Sequence, residues 1–292
     1  MNYNTHRLPH FPARSNLRRA CVIISPKELI MSKIIYDRIG KNYSRHRRAD
    51  FRIVDKIITL LDLPAGSVVA DIGAGTGNYA NALAEKGYFV KAVEPSPVMM
   101  EQARHSENIE WLSGAAEEIP LHDKSVDGVI SIFAFHHFKS PDKAAREMDR
   151  ICQTGPIVLF TFDPWRIPRP WIGDYFPGIW NEAYNVFPPL SEVESLFANI
   201  TARKSLTSKY ELPHDLQDNF LAAGWRRPEI YLDPEIRACM SGFALADQNE
   251  VETGVRQLQR DLETGDWDKK YGHLREAEHF DAGYRFVCAK KD

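Results

Sequence analysis

The chain of 292 residues has no apolar run approaching the ~20 residues that a membrane-spanning helix needs, so no membrane partner is expected. It is also poor in cysteine: Cys21, Cys152, Cys239 and Cys288 lie far apart, with no C-x-x-C pair. That spacing argues against a disulfide framework and against a zinc knuckle, no metal site is expected, and a reducing, cytoplasmic setting is the default. Net charge is nearly missing as well. Lys and Arg number 37 against 40 Asp and Glu, giving -3, too little for a long-range field that gathers nucleic acid or an acidic membrane surface. Internal repeats and low-complexity tracts are absent, which excludes a solenoid or a fibre. What is present, 43% hydrophobic and 26% charged residues, is the composition of a globular chain of one large domain or a domain with a lid.

The charge is unevenly spread. Residues 1–30 carry Arg7, Arg14, Arg18, Arg19 and Lys27 against Glu28 alone, a sum of +4 that leaves -7 for residues 31–292. Up to residue 20 this segment has no hydrophobic period, so it is expected to be a basic, disordered extension. A targeting segment and an ordered helical cap are the other readings. Met31, followed by Ser-Lys-Ile-Ile-Tyr, marks an alternative start.

Beyond the extension, residues 31–63 read as an N-terminal helical cap, because Phe51, Val54, Ile57, Ile58 and Leu61 recur at helical spacing before Pro64-Ala-Gly66. Strands are expected at 68–72, 88–94, 109–113, 126–133 and 156–162, with helices at 78–86, 97–105 and 141–151 between them. Strands alternating with helices imply a parallel sheet covered on both faces, an α/β fold. After Phe162 the rhythm breaks. Residues 160–187 hold nine aromatics interleaved with prolines, about three times the chain average of 11%, and read as a substrate lid, the alternative being that these large side chains are core. A strand near 200–208, helical stretches from His214 to Thr264 and a last alternating strand at 283–288 complete a unit spanning 164–292.

The segment Asp71-Ile72-Gly73-Ala74-Gly75-Thr76-Gly77-Asn78 ends a strand and opens a helix, the place where α/β sheets bind ligands. Two nucleotide families use such a loop. The dinucleotide fingerprint G-x-G-x-x-G requires its third glycine at position 78, which here is Asn78. Glu94 ends the second strand 21 residues after Gly73, where either family places an acid for the ribose hydroxyls.

The D-x-G-x-G-x-G version resembles the first motif of class I S-adenosylmethionine-dependent methyltransferases. Gly114-Ala115-Ala116-Glu117-Glu118-Ile119-Pro120 is similar to the family's loop around the adenine, although Ala115 stands where an Asp often bonds the adenine amino group. Ser125-Val126-Asp127-Gly128-Val129-Ile130-Ser131 resembles the fourth-strand motif. The resemblance is strong from about 64 to 162, within the expected cofactor-binding core of 64–163, and nearest to UbiE-like and trans-aconitate-methyltransferase-like enzymes of small molecules. It implies a Rossmann-like, seven-stranded, mostly parallel sheet with helices on both faces and a helical, aromatic insertion. It also implies S-adenosyl-L-methionine as cofactor, held by Tyr43, Asp71, Gly73, Ala74, Gly75, Gly77, Glu94, Ala115, Ala116, Glu117, Ser131, Ile132 and Phe133. Tyr36 is a further candidate by similarity.

His136 and His137 follow the fourth strand and are candidate bases, with an ordinary pKa near ~6.5 suited to proton removal at neutral pH; the alternative is that they cap or pack the next turn. Arg166, Arg169, Arg226 and Arg227 are candidates for holding a substrate carboxylate, or are solvated. The expected reaction is in-line methyl transfer to a small-molecule acceptor, catalysed mainly by proximity. An NAD(P)-dependent oxidoreductase and a non-catalytic S-adenosylmethionine-binding protein are the alternatives.

Overall fold

A computed structural model describes residues 47–152 and 154–291; the basic extension, Tyr36 and Tyr43 lie outside the described residues. The first helix, α1 (Phe51–Leu61), begins where the Asp50 carboxylate accepts the Arg52 backbone N–H, and ends at Asp62 in the left-handed region. Its apolar stripe, Ile53, Val54, Ile57 and Leu61, is buried, whereas Phe51 is more than half exposed under the Arg52 guanidinium.

Five parallel strands follow: β1 (Val68–Ile72), β2 (Phe89–Glu94), β3 (Ile109–Ser113), β4 (Gly128–Ile132) and β5 (Ile157–Phe162). They alternate with α2 (Asn78–Glu85), α3 (Pro97–Met100) and α4 (Pro141–Ile151). Later come β6 (Lys204–Lys209) and β9 (Tyr284–Lys290), with a small ribbon of β7 (Leu212–Pro213) and β8 (His279–Phe280) between them. The main sheet has seven strands in the order β3-β2-β1-β4-β5-β9-β6, and only β9 runs antiparallel to its neighbours. This is the α/β arrangement expected from the alternating pattern, in the Rossmann-like, seven-stranded form that the resemblance implies.

Three expectations shift at their edges. The helix expected over 97–105 stops at Met100. The strand expected near 200–208 starts only at Lys204, because a helix, α7 (Leu190–Thr201), occupies the preceding residues and closes on Ala202 at φ 55°. The last strand reads as alternating, yet Tyr284 to Ala289 are all buried, since β9 is inserted between β5 and β6 and covered on both faces. Arg285 is tolerated there because Asp281 accepts from both of its terminal nitrogens.

One sheet face packs on α1 and α2, the other on α4 and α7. Between β5 and β6 lie α5 (Ile172–Tyr175), α6 (Pro177–Val186) and α7; between β7 and β8 lie α8 (Pro234–Ala238), α9 (Ser241–Leu245), α10 (Gln248–Thr264) and α11 (Asp266–Tyr271). The aromatics of 160–187 do sit on short elements, but most are buried: Trp171, Tyr175, Phe176 and Trp180 join Tyr231, Phe243 and Trp267 in a core beside the sheet. Trp171 meets Trp267 edge to face at 5.4 Å and donates its indole N–H to the Trp225 carbonyl at 2.8 Å. Trp165 alone of the nine is exposed.

Candidate functional site

The chain runs from β1 outward to β2 and β3, then returns to lay β4 on the other side of β1. The loops leaving the carboxyl ends of β1 and β4 therefore diverge and leave a crevice, the usual ligand position in such sheets. The loop after β1 is pinned to β2: the Gly73 and Ala74 N–H groups donate to the Val93 carbonyl, and the Gly75 N–H donates to Glu94 Oε2 at 2.8 Å. Glu94 Oε1 accepts from the Ser96 N–H at 2.9 Å.

Two of the glycines are required by close packing. A Cβ on Gly73 would lie 2.4 Å from Cβ of Ala134, in the turn after β4, and one on Gly77 would lie 2.5 Å from the Trp111 ring of β3. A Cβ on Gly75, at φ 59°, would meet nothing within 4 Å. The loop is thus tight against the protein at its ends and open at its centre, at Gly75. Beside it the Thr76 hydroxyl is buried with no hydrogen-bond partner. A vacated Cβ position, an unpartnered buried hydroxyl and an acid on the next strand fit a nucleoside with a polar tail.

Asp71 and Glu94 end neighbouring strands, both buried. Among the described residues the Asp71 carboxyl meets no cation, and burial, with the charge of Glu94 behind it, pushes its pKa up to about 7. Burial also raises Glu94, opposed by its two backbone hydrogen bonds. Asn78, the residue that breaks the dinucleotide fingerprint, donates its amide to the Arg47 carbonyl at 3.1 Å and ties the segment before α1 to α2.

After β3, the Glu118 N–H donates to the Ala115 carbonyl, Ala116 is buried, and the Glu117 carboxylate accepts the Ser140 N–H at the start of α4. That bond occupies one oxygen of Glu117, an acid two residues after Ala115. On β4 the Ser131 hydroxyl is buried and donates to the Ile72 carbonyl at 2.9 Å, so it braces two strands, and Ile132 is nearly buried beside it. Phe133 has φ 54°, a conformation a bulky residue rarely adopts. Its ring is fixed there by Phe160, Phe220 and Tyr284 at centroid distances of 4.7, 4.8 and 5.6 Å.

His136 and His137 lie on a 3-10 turn in the loop whose Ala134 and Phe138 pack on Gly73. The His136 ring lies between His137, at 3.8 Å, and Phe187, at 4.1 Å, and its buried Nδ1 has no partner. Burial, and then the neighbouring His137, hold His136 well below its ordinary pKa; burial lowers His137 to about 4. Both rings are neutral at pH 7.

Sequence reading missed a buried polar cluster over this crevice. Asp218 pairs with the Arg47 guanidinium and accepts the Tyr79 hydroxyl at 2.9 Å, and Arg47 lies 5.9 Å from the Phe133 ring. The partners are 171 and 139 residues apart, so no local spacing could reveal them. The four arginines proposed for a carboxylate are dispersed. Arg166 pairs with Asp163 and Arg169 with Asp174, while Arg226 and Arg227 lie on the outer side of the segment bearing Asp218.

Comparison with known proteins decides the family. Residues 70–160 match the model of a methyltransferase domain. A crystal structure of a putative methyltransferase from an antibiotic biosynthesis pathway of Anabaena variabilis is 51% identical, covers 84% of this chain and 99% of its own, and superposes with a TM-score of 0.82. The chain belongs to the class I S-adenosylmethionine-dependent methyltransferases. More distant relatives agree over the core. An uncharacterised methyltransferase of Geobacillus is 30% identical over 135 residues, 45% of this chain and 63% of that protein. The ubiquinone/menaquinone biosynthesis C-methyltransferase UbiE of Rubrivivax gelatinosus is 37% identical over 97 residues, 32% of this chain and 39% of that protein. The match thus spans less than two thirds of these curated relatives.

Proposed function

We propose that this methyltransferase acts on a small-molecule acceptor carrying an O–H or N–H, with catalysis mainly by proximity and with His136 receiving the acceptor's proton. The observation that carries the reading is the wall over the crevice: Asp218 and Phe220, delivered by the segment after β7, pack on Arg47 and Phe133. A site roofed by its own chain suits an acceptor that enters whole.

Bound S-adenosylmethionine supplies a methyl group on a sulfonium, which the acceptor atom displaces in line. Asp71, Gly73, Ala74, Gly75, Gly77 and Glu94 would hold the nucleoside and its tail, and Ala115, Ala116 and Glu117 would border the adenine. Ser131 and Ile132 support the floor, and Phe133 with its ring cluster keeps water from the reacting atoms. Such positioning can supply about 7–11 kcal/mol. His136, neutral and unpartnered at Nδ1, orients the acceptor's hydroxyl or amine and takes its proton as the bond to carbon forms. His137 backs it with a ring 3.8 Å away, tilted by 47°. The -7 of residues 31–292 disfavours a polyanionic substrate such as RNA.

Transfer of labelled methyl to a panel of phenols, amines, thiols and carboxylates tests this, alongside calorimetry with S-adenosylhomocysteine and NADH. Labelling of phenols or amines is the expected result, lost in His136→Phe while S-adenosylhomocysteine still binds. Labelling confined to RNA or protein overturns the small-molecule reading, and binding of NADH alone overturns the placement of the cofactor.

A further inference from the structure

The segment 214–227 has two sides. Its inner side presents Asp218 and Phe220 to the crevice; its outer side lines a surface cavity of about 420 Å³ with His214, Asp215, Arg226 and Arg227, closed by Arg275 from beyond α11. A volume of that order is in the range of small-molecule sites.

The charges around it are not equivalent. Arg226 pairs with Glu278, as does His214, and Arg275 pairs with Glu229 and Asp268, while Asp215 is held by Arg52. Arg227 differs. Its terminal nitrogen donates to the carbonyls of Leu216 and Ala223 at 3.1 and 3.4 Å, its Nε is buried with no partner, and no carboxylate pairs with it among the described residues. A guanidinium so placed keeps its charge and lacks a counter-ion. The other two arginines have exposed acids as partners, and such pairs are weak enough to be exchanged for a ligand.

We infer that this cavity is an anion-binding site, separate from the cofactor crevice, which takes a small molecule bearing a phosphate or carboxylate group on Arg227 with Arg226 and Arg275 at its sides. Charge-assisted hydrogen bonds from a guanidinium fork give such an anion both affinity and orientation.

Calorimetric titration of the full chain at neutral pH and constant ionic strength, with inorganic phosphate and with succinate as probes, tests the site. Saturable binding of at least one probe is expected, weakened about tenfold or more in Arg227→Gln, partly restored in Arg227→Lys, and unchanged in Glu94→Ala. Tighter binding of phosphate identifies a phosphate ester as the ligand class, and tighter binding of succinate a carboxylic acid. Arg275→Gln, at the rim, must also weaken binding and does not disturb the Leu216 and Ala223 carbonyls; circular dichroism verifies that every variant is folded, and unchanged S-adenosylhomocysteine affinity verifies it for the arginine variants. Absence of saturable binding, or wild-type affinity in both arginine-to-glutamine variants, overturns the assignment.

Discussion

Replacing Asp71 by Asn removes an ionisable group from the buried end of β1 while preserving its shape. Burial, and behind it the charge of Glu94, lift the Asp71 carboxyl from 3.8 to about 7. The folded chain therefore holds this proton more tightly than the unfolded chain does. The resulting stability is fully present below pH 3.8 and is lost as the pH rises towards 7. At about 1.4 kcal/mol per pH unit, the complete loss is about 4 kcal/mol, of which about 2 kcal/mol falls between pH ~5 and ~7. Asp71→Asn lacks this loss. Urea unfolding of both proteins is expected to show the variant gaining about 2 kcal/mol on the wild type across that interval, then no more above pH ~8. A difference between the two that stays within about 0.5 kcal/mol from pH ~5 to ~8 refutes the claim that Asp71 is protonated in the free enzyme.

Three further outcomes follow from the same geometry. Gly77→Ala, whose Cβ meets the Trp111 ring, is expected to lower thermal stability more than Gly75→Ala, whose Cβ meets nothing; Gly75→Ala, strained by about 1–2 kcal/mol, instead loses about tenfold in S-adenosylhomocysteine affinity by calorimetry. Asp218→Ala removes the carboxylate that pairs with the buried Arg47 and accepts the Tyr79 hydroxyl, and is expected to cost about 3–5 kcal/mol in denaturant unfolding, more than the Arg47→Met, Asp218→Leu double variant. Because burial holds both His136 and His137 below their ordinary pKa, the single-turnover rate of methyl transfer is expected to be flat from pH ~8 to ~6, and a fall centred near ~6.5 would show a solvated histidine in control.

Legibility in the sequence tracked the distance over which each feature is encoded. The glycine loop, Glu94 and α4 were readable because each rests on local rules: positive φ at Gly73 and Gly75, a fixed strand-to-strand spacing, and Pro141 at the first turn of an apolar-periodic helix. The last strand was readable as a strand but not as an interior one, since its place between β5 and β6 depends on pairing with residues 130 positions earlier in the chain, such as Val158 with Cys288. Trp171 and Trp180 looked like lid residues because prolines surround them; their burial became evident only with Tyr231, Phe243 and Trp267 brought against them. Arg47 carried no signal at all. A lone arginine before a helix becomes informative only when Asp218 and Tyr79 meet it.

That meeting bears on how specificity is built. The glycine loop is tied to β2 through Glu94 and to the turn after β4 through the contact of Gly73 with Ala134, so its shape is set by the sheet. The proposed acceptor wall is set by other residues: Asp218 and Phe220 belong to a segment anchored by Gln217 to Asp50, by Ala222 to the Tyr284 hydroxyl and by the Trp225 indole to the Pro213 carbonyl. The two systems touch at Arg47, Tyr79 and Phe133. Changes in residues 214–225 can therefore reshape the acceptor side while the glycine loop and Glu94 stay in place, whereas a change at Arg47 moves both, because its backbone carbonyl holds Asn78 at the start of α2 and its side chain holds Asp218.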